Sequence, residues 1–339
     1  SDAPKGEGVI HGDVTLTGDG LSKLALKANL AGHDVKLHGG PLQSDTPSID
    51  TFLFDLSLLT NDKEVEIETL TVDSPFLTAN VSAKTSDITV QTLSATAKVN
   101  LAEIFKQFPA TLALKEGMKV SEGMIDIDTK LNTVDADLLF QVSAHLKRLA
   151  GTSGTKKIAL NKPININITG KKGEQSIELE QLLIESSFIT ANGSGNNNGG
   201  KIDVTADIGD ALKEAQKFID LGGLVSDGKL KLSLDVINAE NNTREVKGSL
   251  DIAGFKLSHD GVSIYPENKL STTFASKLQF DNGLVLQSIG QTNFNFNSWY
   301  GEGSLSASGL TLPNDSSPAA IKNGILNSTL RLERVTTLL

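Results

Sequence analysis

The chain has 339 residues, of which 38% are apolar and 21% charged, enough hydrocarbon to bury a core and too much for a disordered chain. Its formal charge of −10 comes from 31 Lys and Arg against 41 Asp and Glu, interspersed without a basic block, which argues against nucleic acid and anionic membrane surfaces as partners. Cysteine is absent, so disulfides, thiol nucleophiles and Cys-ligated zinc are excluded.

The opening residues Ser1 to Gly6 carry neither a basic nor an apolar leader, and nowhere do 18 apolar residues run together. From Val9 to Thr17 the pattern reads as a strand. After Gly18-Asp19-Gly20, Leu24, Leu26, Ala28 and Leu30 fall at every second position, and period two predicts strand because strand side chains alternate between faces. The rhythm continues through Val35 and Leu37, then Phe52, Phe54, Leu56 and Leu58, then Val65 and Ile67, with Gly39-Gly40-Pro41 and Asn61-Asp62 as turns. Phe76 to Lys84 and Ile88 to Val99 read as two further strands.

Asn100 precedes Leu101, Ile104, Phe105 and Phe108, a spacing of three and four that predicts a short amphipathic helix with an asparagine N-cap, stopped by Pro109. Ser121-Glu122-Gly123 reads as a turn into the next strand. The cassette returns as a helix over Asp210 to Asp220, followed by Ser226-Asp227-Gly228 and the strand of Leu230 and Leu232. Between the two cassettes, Ile164, Ile166 and Ile168, then Ile177 and Leu179, alternate with Asn and Glu. A third stretch runs through Leu234, Val236, Leu250, Ile252, Phe274, Leu278, Phe280, Phe294 and Phe296. Pro318 to Leu326 reads as a reduced helix turning into a strand, and Leu330 to Leu339 as the opening strand of a further unit, so the chain reads as a fragment of a longer protein.

Self-similarity organises these elements. Ser74-Pro75-Phe76-Leu77-Thr78-Ala79-Asn80 returns as Ser187-Phe188-Ile189-Thr190-Ala191-Asn192-Gly193 and, more loosely, as Ser298-Trp299-Tyr300-Gly301, so that the aromatic anchors Phe76, Phe188 and Trp299 are almost equally spaced. Ile164, Ile166 and Ile168 follow Phe52, Phe54 and Leu56 at the same interval that separates Phe188 from Phe76. A fixed interval predicts a repeat protein. The expected units are residues 1–100, 101–207 and 208–312, the second and third each opening on a short helix, with a partial unit over 313–339. The aromatics Phe76 and Phe188 are expected to fill the seams between units.

Chemistry-bearing constellations are missing from the pattern. His11, His33, His38, His145 and His259 are scattered, whereas zinc needs three or four converging ligands. Asp126 and Asp128 share a strand face, but acids alternate in the same way on most strands, as on a solvated sheet face. Gly195-Asn196-Asn197-Asn198-Gly199-Gly200 lacks the strand, lysine and helix of a phosphate loop and reads as a flexible connection. No catalytic residue, metal or cofactor is expected. The apolar side of the strands is the remaining feature: few helices exist to cover it, so the sheet either folds onto itself or stays open to something apolar.

The cassette of short helix, Ser-x-Gly, strand and meander, at Leu101 to Ile127 and Ile208 to Leu232, with terminal strands at Phe76 and Phe188, resembles the AsmA-like and TamB-like proteins of bacterial envelopes. The resemblance implies a non-enzymatic periplasmic protein, anchored to the inner membrane at full length by a segment absent from these 339 residues, with inner- and outer-membrane envelope proteins as partners. The expected fold class is all-β with two or three short helices, as elongated antiparallel β-meander repeats forming a curved, groove-like sheet. The ligand would be lipid or another apolar molecule, held along a lining of Phe52, Phe54, Leu56, Ile164, Ile166, Ile168, Phe274 and Phe280. Two alternatives stand beside it: a structural or adhesive β-sandwich, and an outer-membrane protein assembly factor acting by strand augmentation.

Overall fold

The computed structural model describes residues 3, 5–19, 23–42, 44–87, 89–174, 176–238, 243–265, 269–280, 286–298, 301–311 and 320–330. Residues 1–174 with 214–221 form one compact unit, and residues 175–213 with 222–339 form a second. Both are all-β antiparallel meanders, as the periodicity predicts.

In the first unit, β1 (Lys5–Gly18), β2 (Lys23–His38), β3 (Ser48–Asn61), β4 (Glu64–Asp73), β5 (Leu77–Ser86), β6 (Thr89–Asn100), β7 (Met118–Val134), β8 (Asp137–Ser153), β9 (Lys156–Ala159) and β10 (Ile164–Lys172) are joined in chain order. Each pairs with the next, except that β9 and β10 lie along different stretches of the same side of β8. No described pairing joins β1 to β10, so this sheet is open. The tight hairpins turn on aspartate: Asp62, Asp87 and Asp135 adopt φ of 50, 48 and 51°. Short polar side chains tolerate that left-handed conformation, which gives a two-residue turn the twist of its flanking strands.

The second unit repeats the scheme with β11 (Ile177–Glu185), β12 (Ile189–Asn196), β13 (Gly199–Asp207), β14 (Leu224–Asn238), β15 (Thr243–His259), the short β16 (Val262–Tyr265), β17 (Lys269–Phe280), β18 (Leu286–Asn297), β19 (Gly301–Thr311) and β20 (Ala320–Leu330). Here β16 and β17 share one side of β15 as β9 and β10 share one side of β8. Two readings are corrected. Residues 195–200 are not a flexible connection, because β12 and β13 run to Asn196 and from Gly199 and leave only Asn197 and Asn198 in the turn. Ala320 to Leu326 is strand and not helix, while Pro318, Ala319 and residues 331–339 lie outside the described residues, as do Ile88, Trp299 and Tyr300.

A hydrogen-bond signature marks the repeat. Ser74, Ser186 and Ser298, equally spaced along the chain, make the same turn. The serine N–H donates to the carbonyl three residues on (2.9, 2.9 and 2.8 Å), and its Oγ accepts the N–H of that residue, Leu77, Ile189 or Gly301. The turn serine of the second copy is thus Ser186, not Ser187. A β-bulge precedes each turn, between Ile67 and Leu70 in β4, Leu179 and Leu182 in β11, and Ile289 and Thr292 in β18. Phe76 and Phe188 sit in the turn ahead of the strand and are only half-buried, and their carbonyls accept the N–H groups of Asn100 and Asp207 at 2.8 Å in both copies. Half-buried, the Phe76 ring lies 5.8 Å from that of Phe108, just beyond the helix that opens the next expected unit.

Each helix follows directly. Asn100 caps α1 (Leu101–Gln107) by accepting the Glu103 N–H at 3.2 Å, as the spacing predicts. Asp207 does the same for α2 (Ile208–Gln216), accepting the Asp210 N–H at 2.8 Å. Ser121 to Gly123 and Ser226 to Gly228 do not form turns but lie within β7 and β14, beside register shifts. Glycine is required at 123 because a Cβ there would stand 2.9 Å from the Leu101 Cβ of α1 and 2.8 Å from Leu149.

The densest packing of the first unit is at this helix end. Met118, Leu149 and Phe218 are buried together, with Leu101, Phe105, Leu114, Val120 and Ile219 against them. Phe218 is 3% exposed and reaches the cluster because residues 113–115 and 218–220 pair: Lys115 N–H donates to the Phe218 carbonyl at 3.1 Å and Asp220 N–H to the Ala113 carbonyl at 2.8 Å. The turn after α1 is held by buried Asp45, whose carboxylate accepts the N–H groups of Ala110 at 3.0 Å and Thr111 at 2.6 Å. Burial works against its charge, but these hydrogen bonds, Thr111 foremost, outweigh it and hold the carboxyl below its ordinary value.

Two outcomes are expected. Phe218→Ala removes the largest side chain of the cluster and lowers unfolding free energy by about 3–5 kcal/mol in urea titrations; a loss below about 1 kcal/mol would place the core elsewhere. Asp45→Asn lowers the melting temperature at neutral pH. Because the folded carboxyl titrates below the unfolded value of 3.8, its contribution persists above that pH and is lost as pH falls through the folded value, so the gap to wild type should narrow below about pH 4. A gap that stays constant to pH 3 would refute this assignment.

Candidate functional site

Register carries the apolar residues onto one face. In the first unit, Gly12, Leu30, Phe54, Val72, Ala79, Ala97, Ile127, Ala144 and Ile166 form an unbroken row of cross-strand partners from β1 to β10. A second row joins Leu56 through Leu70, Val81, Ala95, Thr129 and Val142 to Ile168. Directly between them, on the opposite face, runs Asp13, Asn29, Asp55, Thr71, Asn80, Thr96, Asp128, Ser143 and Asn167. The second unit has the same construction, with Leu182, Gly193, Ile202, Leu234, Gly248, Phe274, Phe294, Leu305 and Leu326 in one row.

Within each unit the elements in extensive contact are ladder neighbours, with α1 on β7 the exception. No residue of these rows is buried. Ile10, Val14 and Leu16 of β1 are each 64% exposed, and Leu326 of β20 is 66% exposed. Along the middle strands Phe52, Phe54, Leu56, Ile164, Ile166, Ile168, Phe274 and Phe280 are half-buried by their neighbours on the same face. The six in the first unit are spread along its rows. Phe54 and Ile166 share a row six strands apart, about 29 Å along the ladder.

Three of the aromatics lie flat over a glycine of the adjoining strand. A Cβ at Gly32 would stand 1.9 Å from the Phe52 ring, at Gly248 2.2 Å from Phe274, and at Gly303 2.6 Å from Phe296. Glycine thus makes room for a ring laid down on the sheet. Glycines also open a hollow of about 230 Å3 on the apolar side of the β12–β13 hairpin, walled by Ile177, Leu179, Ile202, Leu234 and Val236. Gly195 and Gly200 face each other there so closely that a Cβ on either would come within 2.8 Å of the other's Cα.

The opposite face is an ordinary solvated one. Asp126 pairs with Lys147, whose hydrogen bond holds its carboxyl below the usual range, and Asp128 pairs with Lys130 at 3.5 Å. His145 bonds Asn165, and His11 and His33 stack at 5.0 Å. Such exposed pairs contribute little to stability, typically below about 1 kcal/mol each. Among the described residues no three His, Asp or Glu side chains gather as for a metal ion, and no helix is long and apolar enough to cross a membrane.

No family model matches the chain, and no curated protein or solved structure is similar to it.

Gly32→Ala should destabilise the protein while Phe52 is present and cost less than half as much in a Phe52→Ala background, as read by a double-mutant cycle in denaturant. Equal costs in both backgrounds would show that the ring does not rest on the glycine.

Proposed function

We propose that the protein holds the acyl chains of lipid along this apolar face and lets them move between the inner and outer membranes of a bacterial envelope. The observation that carries the reading is the apolar row through Phe54 and Ile166, nine strands long and with none of its residues buried. A monomeric soluble protein rarely leaves so much contiguous hydrocarbon facing water unless something binds it. The resemblance to AsmA-like and TamB-like proteins supports the same role, and with it a periplasmic location and an inner-membrane anchor on the full-length protein.

The face suits transfer because it has no directional contacts. Half-burying a sixteen-carbon chain at about 0.8 kcal/mol per fully buried methylene gains on the order of 6 kcal/mol. Association costs of similar size offset that gain. Binding is then weak and reversible, and a chain displaced by one strand finds an equivalent surface.

Mass spectrometry of gently purified protein should find phospholipid in the wild type, and Ile166→Glu or Phe54→Glu should remove it while circular dichroism stays that of a β protein. Finding no lipid in the wild type would overturn the reading.

A further inference from the structure

Among the described residues at the ladder positions of the second unit's apolar face, Arg244 alone is charged. It opens β15, pairs with Asn238 of β14 and Leu278 of β17, and precedes Val246, Gly248, Leu250 and Ile252 on the same face. Its guanidinium lies 4.9 Å from the centre of the Phe280 ring. The neighbouring acid, Glu245, points to the other face and is held by Lys277 at 3.3 Å and Lys247 at 3.4 Å. Arg244 is half-buried, and its guanidinium stands over the Phe280 ring at the end of an apolar row.

A residue that only needed to keep a strand end soluble would be served by any polar side chain. A guanidinium laid on an aromatic ring keeps its donors in a fixed plane, an arrangement that matches the oxygens of phosphate. Directly across the ladder, exposed Asn238 adds an amide donor. From Arg244 the row Val246 to Ile252, with Phe274 opposite Gly248, extends about 27 Å along the strand. One leaflet's acyl chain, about 15 Å or half a bilayer core, fits within it.

We infer that Arg244, stacked on Phe280, binds the phosphate of a lipid head group and so sets the end from which the acyl chain lies along Val246 to Ile252. The inference rests on the lipid-holding reading and adds polarity to it. Lipid enters this stretch in one orientation, head at Arg244.

The test is displacement of a fluorescent apolar probe from the full chain by dodecyl phosphate, dodecanol or inorganic phosphate. Wild type should bind dodecyl phosphate about five- to tenfold more tightly than dodecanol, as one charge-assisted bidentate contact allows. In Arg244→Gln that preference should vanish while dodecanol affinity stays unchanged, which also shows that the face is intact. Arg244→Lys should keep part of it. Equal affinities in wild type, or a preference that survives in Arg244→Gln, overturn the inference and leave the lipid reading standing. Competition by inorganic phosphate alone overturns it in favour of a free-anion site. If neither amphiphile binds the wild type, the lipid reading falls and takes the inference with it.

Discussion

Parity is the constraint on which the rest of this molecule depends. In a ladder with a side-chain period of two, a slip of one residue sends every apolar group of a strand to the wrong face. Nine successive strands of the first unit keep their apolar residues in common rows, so each turn and each irregularity must conserve parity. The bulge of β4 shows how. Ile67 and Leu70 are three apart, an odd step that would place them on opposite faces, yet both pair with apolar-face partners, Ala83 and Val81. The extra residue absorbs the odd step.

A sheet with a single clothed end distributes its stability unevenly. The cluster around Met118, Leu149 and Phe218 is a local core, and elsewhere strands are held by backbone ladders and by neighbours on the same face. Such an arrangement gains stability strand by strand, as solenoids do. What it gives up in buried area it keeps as accessible hydrocarbon. The same construction thus leaves a modest core and, among the described residues, an accessible apolar face.

Much of this was legible in the residues. Alternation at Leu24 to Leu30, Phe52 to Leu58 and Ile164 to Ile168 identified strands, the even spacing of Phe76, Phe188 and Trp299 identified the repeat, and Asn100 identified a helix cap. These signals are local or periodic, and one chain carries them in full. The rest depended on pairing. Whether Phe54 shares a row with Ile166 is decided by six intervening registers, and the spacing of Ile67 and Leu70 reveals a bulge only once both neighbours of β4 are known. The glycines under Phe52 and Phe274, and the ring under Arg244, belong to contacts between strands or across a bend, which composition does not record. Residues 195–200 misled because a polar, glycine-rich run reads as slack, whereas here glycine permits the close approach of Gly195 and Gly200.

The recurring bulge also bears on how such a chain can change length. A deletion that ends mid-cassette leaves one strand with its faces exchanged, whereas removing or duplicating a whole segment from one serine turn to the next, such as Ser74 to Ser186, rejoins the ladder with every face in place. Variation in length that keeps the apolar residues of every strand on one face therefore proceeds by whole cassettes.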